Sequence, residues 1–263
     1  MKLLSKLLFM FSIVALITAC GSDDEAPAPN IENAELAFSA QNPPIEIPSG
    51  LSSSSDQNAS QINSQLLLVN SVSSIFASFE APSGAEKSNT PVGRKSNNGR
   101  VAATQENVVV YTYTATTNDG QGNSVTVSVA YQITDTGDDY VFELFYKFDG
   151  GDYIPYLYAQ ESKSSLREGY LVVYNIFDDE NPGTESLIRF DWEENSAGVF
   201  NFSYDIFTAR VELVVNPDNS GTMEIFNDGV RTFRGTWNAA GTEGTFTYYN
   251  EDGSVSSSGS WTA

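Results

Sequence analysis

The sequence predicts a mainly β chain, an antiparallel meander of about ten to twelve strands, with one N-terminal amphipathic helix packed on it. Three observations carry that expectation. From residue 107 onward, short β-prone runs alternate with turns containing Gly, Asn and Asp. Several runs alternate apolar and polar residues with the period of two that places one set of side chains on each face of a sheet. Aromatic residues make up 12% of the 263 residues, with Phe (16) and Tyr (13) far ahead of Trp (3). Such side chains favour pleated, half-buried surfaces.

The first element in chain order is a short basic start, Met1-Lys2-Leu3-Leu4-Ser5-Lys6, followed by an apolar stretch from Leu7 to Ala19. The stretch is too short to span a bilayer and fits the apolar region of a secretory signal, so residues 1–19 read as a signal peptide. It ends in Leu16-Ile17-Thr18-Ala19-Cys20. These residues resemble the lipobox of bacterial lipoproteins, in which an aliphatic residue, a small residue and then Ala or Gly precede Cys. The resemblance implies cleavage between Ala19 and Cys20, a diacylglyceryl thioether on Cys20 and acylation of the new amine, with palmitate-like chains as the membrane anchor. Two or three acyl chains, at about 0.8 kcal/mol per buried CH₂, give stable anchoring where one chain does not. Cys20 is the only cysteine, so an internal disulfide is impossible. Ser22, Asp23, Asp24 and Glu25 follow it. They are similar to the surface-export signal of flavobacterial lipoproteins, which implies an outer-membrane address, at the cell surface.

Residues 20–55 read as the lipidated cysteine and a flexible linker, because Pro27, Pro29, Pro43, Pro44, Pro48 and the run Ser52 to Ser55 oppose regular structure. Residues 56–81 read as the helix. Ile62, Leu66, Val69, Val72, Phe76 and Phe79 recur at spacings of three and four, one apolar stripe made to be buried. Ser55 or Asp56 can cap its start, and Pro82 lies just beyond its end. Residues 82–106 read as a flexible polar loop carrying Lys87, Arg94, Lys95 and Arg100.

Residues 107–263 form the expected β domain. The runs fall at 107–117, 123–134, 139–148, 153–161, 168–177, 185–193, 198–207, 209–215, 221–227, 230–238, 243–250 and 254–262. Their short connections demand antiparallel neighbours, since parallel pairs need long crossovers. Tyr140, Phe142, Leu144, Tyr146 and Phe148 alternate with Val141 and Phe145, so the middle of the sheet is apolar on both faces. So many strands curl, into a barrel, a half-barrel or a two-layer sheet. Near the C-terminus a unit repeats: Asp228-Gly229 returns as Asp252-Gly253, and Gly235-Thr236-Trp237 as Gly259-Ser260-Trp261. The unit weakly resembles the hairpin repeats of membrane-occupation motifs and reads as a repeated hairpin closing the sheet. Trp237 and Trp261 pack at its core or rim, or else form an aromatic platform for a sugar ring.

The chemistry is bounded by what is missing. The chain has no histidine, so Ser–His–Asp and Cys–His catalysis are excluded, and zinc loses its usual ligands. There is no phosphate-binding loop or dinucleotide fingerprint, and neither a cofactor nor a metal is expected. Thirteen Lys and Arg stand against 34 Asp and Glu, a net charge of −21; such a chain repels nucleic acid and anionic lipid. Asp191 and Glu193 share one face of a strand, a spacing compatible with a glycosidase pair, though a solvated outer face explains it more simply. Asp178-Asp179-Glu180-Asn181 offers oxygen ligands without the spacing of a calcium loop. The function this predicts is a non-enzymatic, lipid-anchored outer-membrane lipoprotein with a binding or accessory β domain for a glycan, a protein or a small apolar ligand. The alternatives are a carrier of lipid or lipoprotein built as a half-barrel, and a carboxylate-based glycan hydrolase.

Overall fold

The computed structural model describes residues 31, 34, 38, 44–77, 84–92, 107–118, 124–164, 166–178 and 180–263. Among them a single sheet holds thirteen strands: β1 (Glu86–Ser88), β2 (Val108–Asn118), β3 (Ser124–Asp135), β4 (Asp139–Phe148), β5 (Ile154–Ser162), β6 (Glu168–Tyr174), β7 (Ser186–Glu194), β8 (Phe200–Ile206), β9 (Ala209–Val215), β10 (Gly221–Asn227), β11 (Val230–Trp237), β12 (Glu243–Tyr249) and β13 (Val255–Thr262). Order in the sheet is order in the chain, and every neighbouring pair is antiparallel. The sheet is open, with β1 and β13 as its edges. The twelve expected strands are all present as β2 to β13. Helices α1 (Ser49–Ser53) and α2 (Gln57–Ala77) precede them.

The register sorts the side chains onto two faces. On the inner face lies one continuous core, including Tyr131, Phe142, Leu171, Phe190, Trp192, Leu213, Met223 and Phe233. α2 packs there. The Asp56 carboxylate caps its first turn, accepting the N–H of Asn58 (2.8 Å) and Ala59 (3.2 Å). Its stripe of Ile62, Leu66, Val69 and Val72 is buried in the core. Phe76 and Phe79, expected on the same stripe, have no described side chains. Two tyrosines fasten the helix: Tyr248 Oη donates to Asn58 Oδ1 (2.9 Å) from β12, and Tyr204 Oη to Gln65 Oε1 (2.7 Å) from β8. Seven helical residues advance about 10 Å, whereas four strand spacings on a flat sheet measure about 19 Å. Curling of the sheet towards α2, with the reach of the tyrosines, closes that difference and makes the inner face a trough.

Glycines decide where the large rings fit. Trp192, Trp237 and Trp261 lie directly across from Gly169, Gly221 and Gly244 on the neighbouring strand. A Cβ at any of the three glycines would collide with the facing indole. Each hairpin of the C-terminal repeat therefore folds its tryptophan back over a glycine of its own first strand.

Two stretches are more ordered than their composition suggests. Residues 44–55 lie in the expected linker, yet Pro44, Ile45, Pro48 and Leu51 are buried. α1 docks on the β11–β12 turn, where Gly50 N–H donates to Ala240 O (3.1 Å). Asn70 of α2 bonds both the N–H and the C=O of Ile45 (3.2 and 3.0 Å). Pro48 stands at the N-cap of α1, where proline is tolerated, so the prolines prevented neither a short helix nor burial. Residues 82–106, read as a flexible loop, contain β1, which pairs with β2 from Glu86 to Ser88. Val92 then packs with Val108, Val110, Ala130 and Phe145 in a small second core on the outer face.

Further upstream, Phe38 is inserted into the main core. Its ring stacks on Trp192 at 4.8 Å. Its N–H and the Trp192 indole N–H both donate to Glu161 Oε1 (3.0 and 2.9 Å), a carboxylate only 3% exposed. Arg167 holds Pro44 O (2.8 Å) and Glu194 (2.7 Å) and lies over the Phe200 ring (4.3 Å). Buried charges of this kind persist because each is paired or bonded.

Candidate functional site

Among the described residues the inner face carries the core and α2, and a groove lies on the other side. A groove of about 410 Å³ runs over the outer face of β6 to β9. The pleat sends every second residue of these strands outward, and the register aligns them in rows across the sheet. One row is Glu168, Glu193, Asn201 and Val214; the next is Tyr170, Asp191, Ser203 and Glu212; the third is Val172, Arg189, Asp205 and Arg210. Their inward neighbours Phe190, Trp192, Phe202 and Leu213 belong to the core, so the groove has a rigid floor.

Several of the polar groups in and beside it are held by one another. Arg189 Nε reaches both oxygens of Asp191 (3.0 and 2.9 Å), and its guanidinium lies 4.3 Å from the Tyr170 ring centroid. The hydrogen bond to Asp191 raises the pKa of Arg189 further above its ordinary value. Tyr170 donates to Gln160 Oε1 (3.2 Å) and stacks on Tyr158 at 5.7 Å. Arg210 Nε donates to Glu212 (2.7 Å) and its Nη1 to Asp205 (3.1 Å), and the Glu212 bond raises the Arg210 pKa in the same way. Glu168 and Glu193 face each other across β6 and β7, like charges that disfavour the pairing.

A second hollow of about 290 Å³ continues the groove past Asp205, Arg210 and Glu212 to the β8–β9 turn. There Phe207 is 73% exposed, with φ 53°. Phe226 and Gly229 form the opposite side of the hollow. The turn is tied to its neighbour: Asp228 N–H donates to Thr208 O (2.9 Å), and Thr208 Oγ1 to Asn227 Oδ1 (3.1 Å).

The structure divides the residues singled out from the sequence. Asp191 and Glu193 do share the outer face and line the groove, while Asp191 is engaged by Arg189. Trp237 and Trp261 are each 3% exposed in the core, where they offer no open platform; Trp237 Nε1 donates to Asn219 O (2.7 Å). Asp178 accepts the N–H of Glu180 and Asn181 (2.9 and 3.1 Å), bonds that hold its carboxyl below the usual range and close a turn. Among the described residues no cluster of three or more His, Cys, Asp or Glu is placed to hold a metal ion. Ala19, Cys20, Ser22, Asp23, Asp24 and Glu25 lie outside the described residues, as do Arg94, Lys95 and Arg100. No helix among the described residues is long and apolar enough to cross a membrane.

Sequence reasoning missed Tyr170, Arg189, Arg210 and Phe207. The first three follow from the register, which no single strand reveals. Phe207-Thr208 contains none of the Gly, Asn or Asp that marks a tight turn. No protein-family model matches the chain, and neither does any curated protein.

Proposed function

We propose that this chain is a lipid-anchored lipoprotein of the outer membrane, displayed at the cell surface, and that it binds its ligand without catalysis in the outer-face groove of β6 to β9. The observation that carries the reading is the rigid groove itself. Asp191, Arg210 and Glu212 are held by ion pairs before any ligand arrives, which lowers the entropic cost of binding. The anchor rests on the lipobox-like residues ending at Cys20. Asp191 in a bidentate pair with Arg189 is an acceptor, not a poised nucleophile, and this favours binding over glycan hydrolysis. A trough in which α2 buries Ile62, Leu66, Val69 and Val72 speaks against a lipid carrier, which needs that space for cargo.

Two experiments test the reading. Cys20→Ser is expected to abolish labelling by a palmitate analogue and to release the protein from the membrane fraction; unchanged sedimentation would refute the anchor. Thermal-shift screening of the full chain against oligosaccharides and short peptides is expected to find a stabilising ligand whose effect is lost in Arg210→Ala. A ligand indifferent to Arg210→Ala, Arg189→Ala and Glu193→Gln would place binding elsewhere.

A further inference from the structure

We infer that the groove takes a neutral oligosaccharide, and that Phe207 is the platform on which one sugar ring stacks. This rests on the reading of the groove as a binding site and names its ligand class.

Phe207 is the starting point. A bulky residue at φ 53° is a backbone outlier that Gly or Asn would adopt more easily. The neighbouring turn shows the ordinary solution, with Asp228 at φ 49° and Gly229 at φ 77°. Here a phenyl ring is instead held 73% exposed, over a turn tied to its neighbour through Thr208. Nothing in the fold requires an aromatic ring there, since the ring is not in the core. Local strain of this kind is characteristic of ligand-contacting positions.

The chemistry beside the ring selects the ligand. Asp205, Arg210 and Glu212 join into one hydrogen-bonded array beside it. Such an array gives and accepts hydrogen bonds with adjacent hydroxyls, while the ring covers an apolar sugar face. Carboxylates outnumber arginines along the groove, so uronic or sulfated chains are repelled. A peptide gains little, because β6 to β9 are interior strands and strand addition needs a free edge. From Asn201 to Phe207 the groove follows β8 for about 20 Å, from the strand rise, a length for several linked rings.

The test uses the full chain in detergent with cellohexaose, xylohexaose, laminarihexaose, maltohexaose and mannohexaose as probes. Hexagalacturonate and hexalysine serve as the acidic and basic counterparts. Isothermal titration and saturation-transfer NMR read binding. At least one neutral probe is expected to bind, with affinity unaffected by 0.5 M NaCl. Phe207→Gly is expected to lower that affinity tenfold or more while raising the unfolding midpoint by about 2–4 °C, because glycine relieves the turn. Undiminished sugar binding by Phe207→Gly, or no binding of any neutral probe, overturns the inference. If hexalysine binds instead and Glu193→Gln weakens it, the sugar fails while the groove remains a binding site. If no probe of either kind binds, both readings fall.

Discussion

At the scale of single residues, two sites test how the core is held. Glu161 is buried and accepts two N–H groups from segments far apart in sequence, Phe38 and Trp192. Glu161→Ala strands both donors and is expected to cost about 2–4 kcal/mol, measured by urea unfolding. Glu161→Gln keeps a carbonyl acceptor and should cost less, and equal losses would contradict the role given to the oxygen. Gly221 sits beneath the Trp237 indole, with Val214 O also against the space a side chain would need. Gly221→Ala is expected to destabilise by about 1–3 kcal/mol through overpacking. A variant as stable as the parent would show that the ring moves aside freely.

Among the elements, α2 separates capping from burial. Asp56→Ala removes acceptors for two N–H groups and should cost about 1 kcal/mol. Leu66→Ala opens a hole between helix and sheet and should cost about 2–5 kcal/mol. Chemical denaturation of both variants checks the order, and a reversed order would mean that the helix is not seated in the trough. The helix was legible because Ile62, Leu66, Val69 and Val72 repeat with helical period. β2 to β13 were legible because most turns between them carry Gly, Asn or Asp. β1 was not, since Glu86-Lys87-Ser88 has no apolar alternation and exists only through pairing with β2. α1 was hidden among prolines and serines, and its position depends on contact with a turn nearly two hundred residues later. Of the candidate site, Asp191 and Glu193 could be placed on one outer face from β7 alone. Arg189 over Tyr170 and Arg210 beside Asp205 arise between strands, and a one-dimensional pattern does not encode that register.

For the whole molecule, titration sets the range of stability. With no histidine, no side chain at its ordinary pKa titrates between about pH 5 and 8. Burial pushes Tyr156 up to about 12, and burial beside Tyr156 and Tyr113 pushes Tyr146 up as well. A phenol whose folded pKa is raised contributes stability that is complete below its unfolded value and is lost as pH climbs above about 10. Asp135, bonded by Lys163, and Asp218 and Asp252, bonded by Ser220 and Ser254, are held below the usual carboxylate range. Their contribution is present above the unfolded value and fades as pH falls below about 4. The expected profile of thermal midpoints is a plateau across neutral pH with declines on both sides. A steep change near pH 7 would contradict it. Salt should raise the plateau, because a net charge of −21 repels itself in the compact state.

The packing of Phe38 against β5, β7 and β8 also fixes where mechanical force would enter the domain. A tug on the N-terminal side reaches Phe38, Glu161 and Trp192 before it reaches β1, so tension is delivered to the middle of the sheet and not to the margin, where strands peel apart one at a time. Load arriving from that side must shear the buried aromatic cluster, then draw Pro44 away from Arg167 and α2 out of the core, before it can unzip β1 from β2.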